Sequence, residues 1–78
     1  MEVKIKCFWV SNPEDGDREP YAIADIGESR ARFCITPEGG IYGFNSDDEL
    51  EPEDIYEYFP PASLIKLVEE TPDNMAEE

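Results

Sequence analysis

The sequence predicts an α+β fold: an antiparallel β-sheet of four to five strands with one short acidic helical segment. Three observations predict it. Apolar and polar residues alternate in short runs through the first half of the chain. Clusters rich in Gly, Pro, Asn and Asp separate those runs, as turns require. Beyond Phe44 the alternation stops, and an acid-rich stretch with helix-start signals replaces it.

The first strand is Val3 to Ser11, where Val3, Ile5, Cys7 and Trp9 alternate with Lys4, Lys6, Phe8 and Val10. Asn12 to Pro20 holds two prolines and a glycine and reads as a long hairpin loop. Tyr21 to Ile26 is the second strand, and Gly27 to Ser29 a short turn. Arg30 to Thr36 is the third, with Ala31, Phe33 and Ile35 alternating with Arg30, Arg32 and Cys34. The paired glycines of Pro37-Glu38-Gly39-Gly40 supply positive φ for a hairpin turn. Ile41 to Phe44 is the fourth strand, which completes an antiparallel meander.

Ser46-Asp47-Asp48-Glu49 has the S-x-x-E spacing of a capping box, so a helical turn is expected to start there. Pro52 suits a first helical position, and Glu53 and Asp54 sit well at the positive end of a helix dipole. Ile55 and Phe59 share a face. Asp47 to Phe59 is therefore one broken helix or two short ones, ended by Pro60-Pro61. Ser63 to Glu70 fits either an amphipathic helix or a buried strand after a Pro-Pro break; the expectation adopted is a fifth strand. Residues 1–70 thus form a single domain, with 71–78 as a flexible acidic C-terminal tail.

Composition narrows the function. The chain has 78 residues, 20 Asp plus Glu against 6 Lys plus Arg, no histidine and a net charge of −14. Nine aromatic residues argue against a disordered acidic tail. That length sits near the lower limit for one domain, about 50 residues, and leaves little room for a pocket beside a core. Direct binding to nucleic acid or to an anionic membrane is disfavoured, because both favour a basic face. No stretch approaches a transmembrane span, and Met1 to Lys6 holds no apolar leader core, so a cytoplasmic protein is expected.

Without histidine the commonest general base and metal ligand is missing, and no glycine-rich phosphate loop is present. An enzyme is therefore not expected, nor is a cofactor. Asn45, Asp47 and Glu49 alternate like calcium ligands, yet the sixth and twelfth positions of that frame are Leu50 and Tyr56. An EF-hand needs Gly and Glu there, so no metal site is expected. Strand parity turns Cys7 into the core and Cys34 outward beside Arg30 and Arg32. Opposite faces share no disulfide without a bulge, and Cys34 is expected to be the more reactive thiol.

Charge asymmetry is the feature that points to a role. Residues 1–39 carry a net −3 and residues 40–78 a net −11. Between Asp47 and Glu57 lie seven acids and no base. Like charges three or four apart on a helix repel by a few tenths of a kcal/mol each, so folding alone does not favour such a run. The expected binding surface is Asp47, Asp48, Glu49, Glu51, Glu53, Asp54 and Glu57, with Tyr56 turned toward the acids. Helical carboxylates about 5–6 Å apart are close enough to phosphate spacing to occupy Lys and Arg pockets.

Small size and acidity resemble those of the DNA-mimic inhibitors of phages and mobile elements. The likeness is of class, without a shared motif. The function expected is a non-catalytic protein that docks on a basic surface of a partner, a nucleic-acid-binding protein inhibited by mimicry being the form considered. The alternative is a small structural or adaptor protein, homodimeric or otherwise, that associates through its sheet edge or face. Lys4, Lys6, Arg30 and Arg32 share that face with Phe8, Val10 and Cys34.

Overall fold

The structure is a computed structural model that describes residues 2–11 and 14–72. Four strands, β1 (Val3–Ser11), β2 (Arg18–Ile26), β3 (Ser29–Ile35) and β4 (Ile41–Ser46), are followed by helices α1 (Pro52–Tyr58) and α2 (Pro61–Glu70). The strands form one antiparallel sheet in the order β1-β2-β3-β4. Strand-then-helix order with a meander is an α+β architecture.

Strand parity fixes two faces. On the inner face Cys7, Ala22 and Phe33 lie in one row across the sheet, and Ile5, Ala24 and Ala31 in the next. Three small residues there let the helices approach the sheet closely. Ile55 of α1 and Leu64 of α2, both fully buried, complete this core with Ile26 and Ile35. Both helices therefore cover the inner face, and among the described residues no helix lies on the outer face.

Several boundaries differ from the sequence expectation, each for a local reason. β2 begins at Arg18, within the expected loop, because it pairs with β1 as far as Ser11. Pro20 lies beyond the last β2–β3 partners, Tyr21 and Cys34, where β2 is an outer strand on one side and tolerates a proline. Asn12 and Pro13 lie outside the described residues. β4 runs on to Ser46 through a bulge: Arg32 faces Asn45 while Cys34 faces Tyr42, so Gly43 and Phe44 together oppose Phe33. Gly43 takes φ +61°, as a bulge of this kind requires, and Phe44 is thereby turned inward to stack on Phe33 at 6.1 Å.

The helix begins at Pro52 and not at the expected Ser46 capping box. Ser46 ends β4, and its hydroxyl accepts the Asp48 N–H at 3.2 Å. Glu51 is the N-cap, with a reciprocal box in which the Asp54 carboxylate accepts the Glu51 N–H at 2.7 Å. An E-x-x-D pair satisfies the same two backbone donors that S-x-x-E would.

The expected fifth strand is corrected to a helix. Pro60 and Pro61 end α1 and also start α2, as N-cap and first helical residue. Leu64, Leu67 and Val68 then meet the core at helical spacing, while Lys66, Glu69 and Glu70 stay exposed. Adjacent apolar pairs (Leu64-Ile65 and Leu67-Val68) cannot both face one side of a strand. Thr71 closes the helix: its N–H and its hydroxyl bond to Leu67 O, and its carbonyl accepts Trp9 Nε1–H at 3.3 Å. Of the expected tail, residues 73–78 lie outside the described residues.

Candidate functional site

The acidic stretch Asp47–Glu57 leaves the sheet at β4 and crosses into α1. Its carboxylates divide by what they do. The Asp47 N–H bonds to Arg30 O at 3.1 Å, which pins the start of the stretch to β3. Asp48 accepts the Ser29 hydroxyl at 2.8 Å and the Glu49 N–H at 2.8 Å. Those two donors, Ser29 first, hold its carboxyl below the usual range. Glu51 and Asp54 cap α1. Three of the seven acids therefore serve the local fold.

Asp47, Glu49, Glu53 and Glu57 are exposed. Glu53 and Glu57 are one helical turn apart on the solvent side of α1, opposite Ile55. Tyr56, expected among the acids, packs against the core instead. Its hydroxyl accepts the Ile41 N–H at 2.8 Å and ties α1 to β4. Tyr58 is the aromatic residue that α1 exposes, at 43%.

The open outer face is the second surface, and it has a clear order. One row across the sheet is Lys4–Asp25–Arg30, the next Lys6–Ile23–Arg32–Asn45, the next Phe8–Tyr21–Cys34–Tyr42. Four of the chain's six basic residues thus lie in the first two rows. Two shallow troughs adjoin at Ile23. One, of about 470 Å³, is lined by Lys4, Lys6, Asp25 and Arg30; the other, of about 200 Å³, by Arg30, Arg32, Asn45 and Asp47. Arg30 reaches Asp25 at 3.9 Å across the strands.

The third row is an aromatic seal. Phe8 is 1% exposed although neither α1 nor α2 covers it: Tyr21 stacks beside it at 6.2 Å and the Arg32 guanidinium lies 5.5 Å from its ring centre. Cys34 does lie on this face, as parity required, but it is 1% exposed and not accessible beside the arginines. Burial pushes its thiol up, against the opposing effect of a hydrogen bond from Tyr42. That same bond, with burial, pushes the Tyr42 phenol up to about 12. Cys7, buried in the inner core, is also raised by desolvation. The expectation of a reactive Cys34 is therefore corrected. Native protein at neutral pH should react slowly with an aromatic disulfide reagent, and both thiols should titrate only in urea. A thiol that reacts at once in native buffer would contradict the seal.

Among the described residues no group of three or more Cys, Asp or Glu side chains is placed to hold a metal ion, and no helix is long and apolar enough to cross a membrane. No family model, curated protein or solved structure matches the chain.

Proposed function

We propose that this chain is a non-catalytic binding protein that docks through Asp47, Glu49, Glu53 and Glu57 on a basic surface of a partner protein. The partner class is a nucleic-acid-binding protein whose phosphate pockets these carboxylates occupy, so that docking inhibits by mimicry. One observation supports this above others: the fold uses Asp48, Glu51 and Asp54, yet Glu49, Glu53 and Glu57 remain exposed with no base among them. Exposed like charges cost a little stability, and a basic partner is what would offset it. Tyr58 adds an aromatic contact next to Glu57.

The test is capture of proteins from a lysate by the immobilised chain, with and without competing duplex DNA. A basic partner displaced by the DNA is expected. The variant Glu49→Gln/Glu53→Gln/Glu57→Gln keeps the cap of α1 and should fold as well as the parent. At roughly 0.2–1 kcal/mol per exposed pair, three lost pairs should weaken capture about tenfold. A partner held equally by the variant, and unmoved by DNA, would favour the adaptor reading, whose support is the outer sheet face that α1 and α2 leave uncovered.

A further inference from the structure

The sheet has two edges, and the fold treats them differently. β4 is six residues long and bulged at Gly43, and its Ile41 N–H is taken up by the Tyr56 hydroxyl. Short length and a bulge are common means of blunting an edge. β1 has neither. Its nine residues pair with β2 without a break and include no proline or glycine.

Parity tells where the remaining backbone groups of β1 point. Gly27 donates its N–H to Glu2 O at 3.1 Å, so the even-numbered residues Lys4, Lys6, Phe8 and Val10 carry the ladder to β2. Pro20, which has no N–H, accordingly faces Trp9, where that ladder needs none. The N–H and C=O groups of Val3, Ile5, Cys7, Trp9 and Ser11 therefore point away from the sheet. Among the described residues no backbone hydrogen bond reaches them on that side. Val3 and Ile5 are only partly buried against the core, and Ile5 borders a trough of about 350 Å³ with Phe59 and Leu67.

We infer that β1 pairs antiparallel with β1 of a second copy about a two-fold axis at Cys7, joining the two sheets into one of eight strands. Cys7 is the midpoint of Val3–Ser11 and carries outward groups. The centred register therefore hydrogen-bonds Val3 to Ser11, Ile5 to Trp9 and Cys7 to its own copy, using the whole strand. On the outer face it sets Lys4 opposite Val10 and Lys6 opposite Phe8. Moving the axis to Lys6 would set that lysine against itself. On the inner face each Ile5 gains Trp9 of the second copy as a neighbour, which extends the apolar layer beside the trough. A strand of another protein could use the same backbone groups, but β1 matches itself in length and register.

Charge allows this contact where it opposes others. β1 holds no acid, and the stretch Asp47–Glu57 leaves the sheet at β4, three strands or about 14 Å away. The dimer does not rest on the docking proposed above. It leaves both acidic stretches exposed, with the two β4 strands at opposite ends of the joined sheet.

An edge about 30 Å long makes a small interface, so dissociation in the micromolar range is expected. Sedimentation velocity on the full chain, from about 1 μM to about 1 mM, tests this at about 0.01 M and about 0.15 M salt. The expected result is an equilibrium that stops at the dimer, as a closed two-fold requires, and tightens as salt screens two chains of −14. Docking of acids on a basic partner weakens with salt, so the two readings move in opposite directions. Ile5→Lys places an inward-pointing charge on the edge and should weaken the dimer about tenfold or more. Glu49→Gln/Glu53→Gln/Glu57→Gln should not weaken it.

Cross-linking reads the register. Lys4→Cys/Val10→Cys puts thiols at directly opposed positions with Cα atoms about 4.5 Å apart, within disulfide reach. Oxidised glutathione should link two such chains, seen on a denaturing, non-reducing gel run with an alkylating reagent. Lys4→Cys alone should not link, because in this register it lies about 20 Å from its own copy. Parent protein that stays monomeric at every concentration, a dimer that Ile5→Lys leaves intact, or linkage by Lys4→Cys alone overturns the inference. Should Ile5→Lys not fold, the cross-link decides, and its absence in Lys4→Cys/Val10→Cys overturns the inference too. Capture of a basic partner is a separate readout, so a monomer that still captures one leaves the proposed function standing.

Discussion

Phe33→Ala is expected to lower stability by about 3–5 kcal/mol, a large part of the roughly 4–12 kcal/mol available to a domain this small. Phe33 is fully buried, stacks on Phe44, and lies between Ala22 of the sheet and the helices that cover it. Its neighbours belong to backbone elements held by the sheet ladder, so a cavity there cannot collapse cheaply. Phe8→Ala removes a ring that is just as buried but on the open face. Tyr21 and Arg32, which cover it, are long side chains at a solvent boundary and can settle into the space. Phe8→Ala should therefore cost less than Phe33→Ala, read as a smaller drop in the urea midpoint at unchanged slope. Equal costs would mean that the outer face is as rigidly enclosed as the core.

The same contrast shows what was legible in the sequence. β1 and β3 could be read because their apolar and charged positions alternate, and alternation is itself the physics of a half-buried strand. Face assignment followed, down to Cys34 on the side of Arg30 and Arg32. Its burial did not follow. Parity says which way a side chain points, but Cys34 is sealed by Tyr21 and Tyr42 arriving from two other strands, and that depends on register. On the β4 side the turn that pairs Ile35 with Ile41 sets this register, and the bulge at Gly43 changes the pairing only beyond Tyr42, where Arg32 faces Asn45.

Helix α2 was missed because its apolar stretch, Leu64 to Val68, is short, and such a run has no unambiguous period. The adjacent pairs Leu64-Ile65 and Leu67-Val68, with Pro61 at the start, were the available sign. For the acidic stretch the sequence identified the residues but not their division of labour. Whether a carboxylate caps a helix or stays available to a partner depends on which N–H lies within reach. Glu51 could be separated from Glu49 only by the position of Pro52. Tyr56 and Tyr58 were likewise interchangeable on paper, and only the placement of β4 decides which hydroxyl finds the Ile41 N–H.

Gly39→Ala is expected to have the other large effect, and it reports on how the helices are held over the sheet. Gly39 ends the β3–β4 turn at φ +83°, with its N–H bonded to Thr36 O at 2.9 Å. Alanine in that region costs about 1–2 kcal/mol from backbone sterics alone. A Cβ here would also come within 2.5 Å of Pro61 O, at the start of α2, and that atom is backbone that no side-chain rotation can move away. Relief requires α2 to shift from the sheet or the turn to distort. Gly16→Ala separates the two costs: Gly16 has a similar φ of +76° but nothing within 4 Å of its Cβ position. It should lose only the backbone share, and Gly39→Ala should lose at least about twice as much. Trp9 supplies a second signal, because its indole N–H bonds to Thr71 O at the far end of α2. A displaced α2 should shift Trp9 emission in Gly39→Ala before unfolding and leave it unchanged in Gly16→Ala. Equal losses with unchanged emission would show that the turn does not brace the helix. Since α1 and α2 meet at Pro60-Pro61, a brace on Pro61 also fixes the corner from which Glu53 and Glu57 are presented. A helix pair free to swing would present the same charges without a fixed geometry, which weakens docking even where every carboxylate is kept.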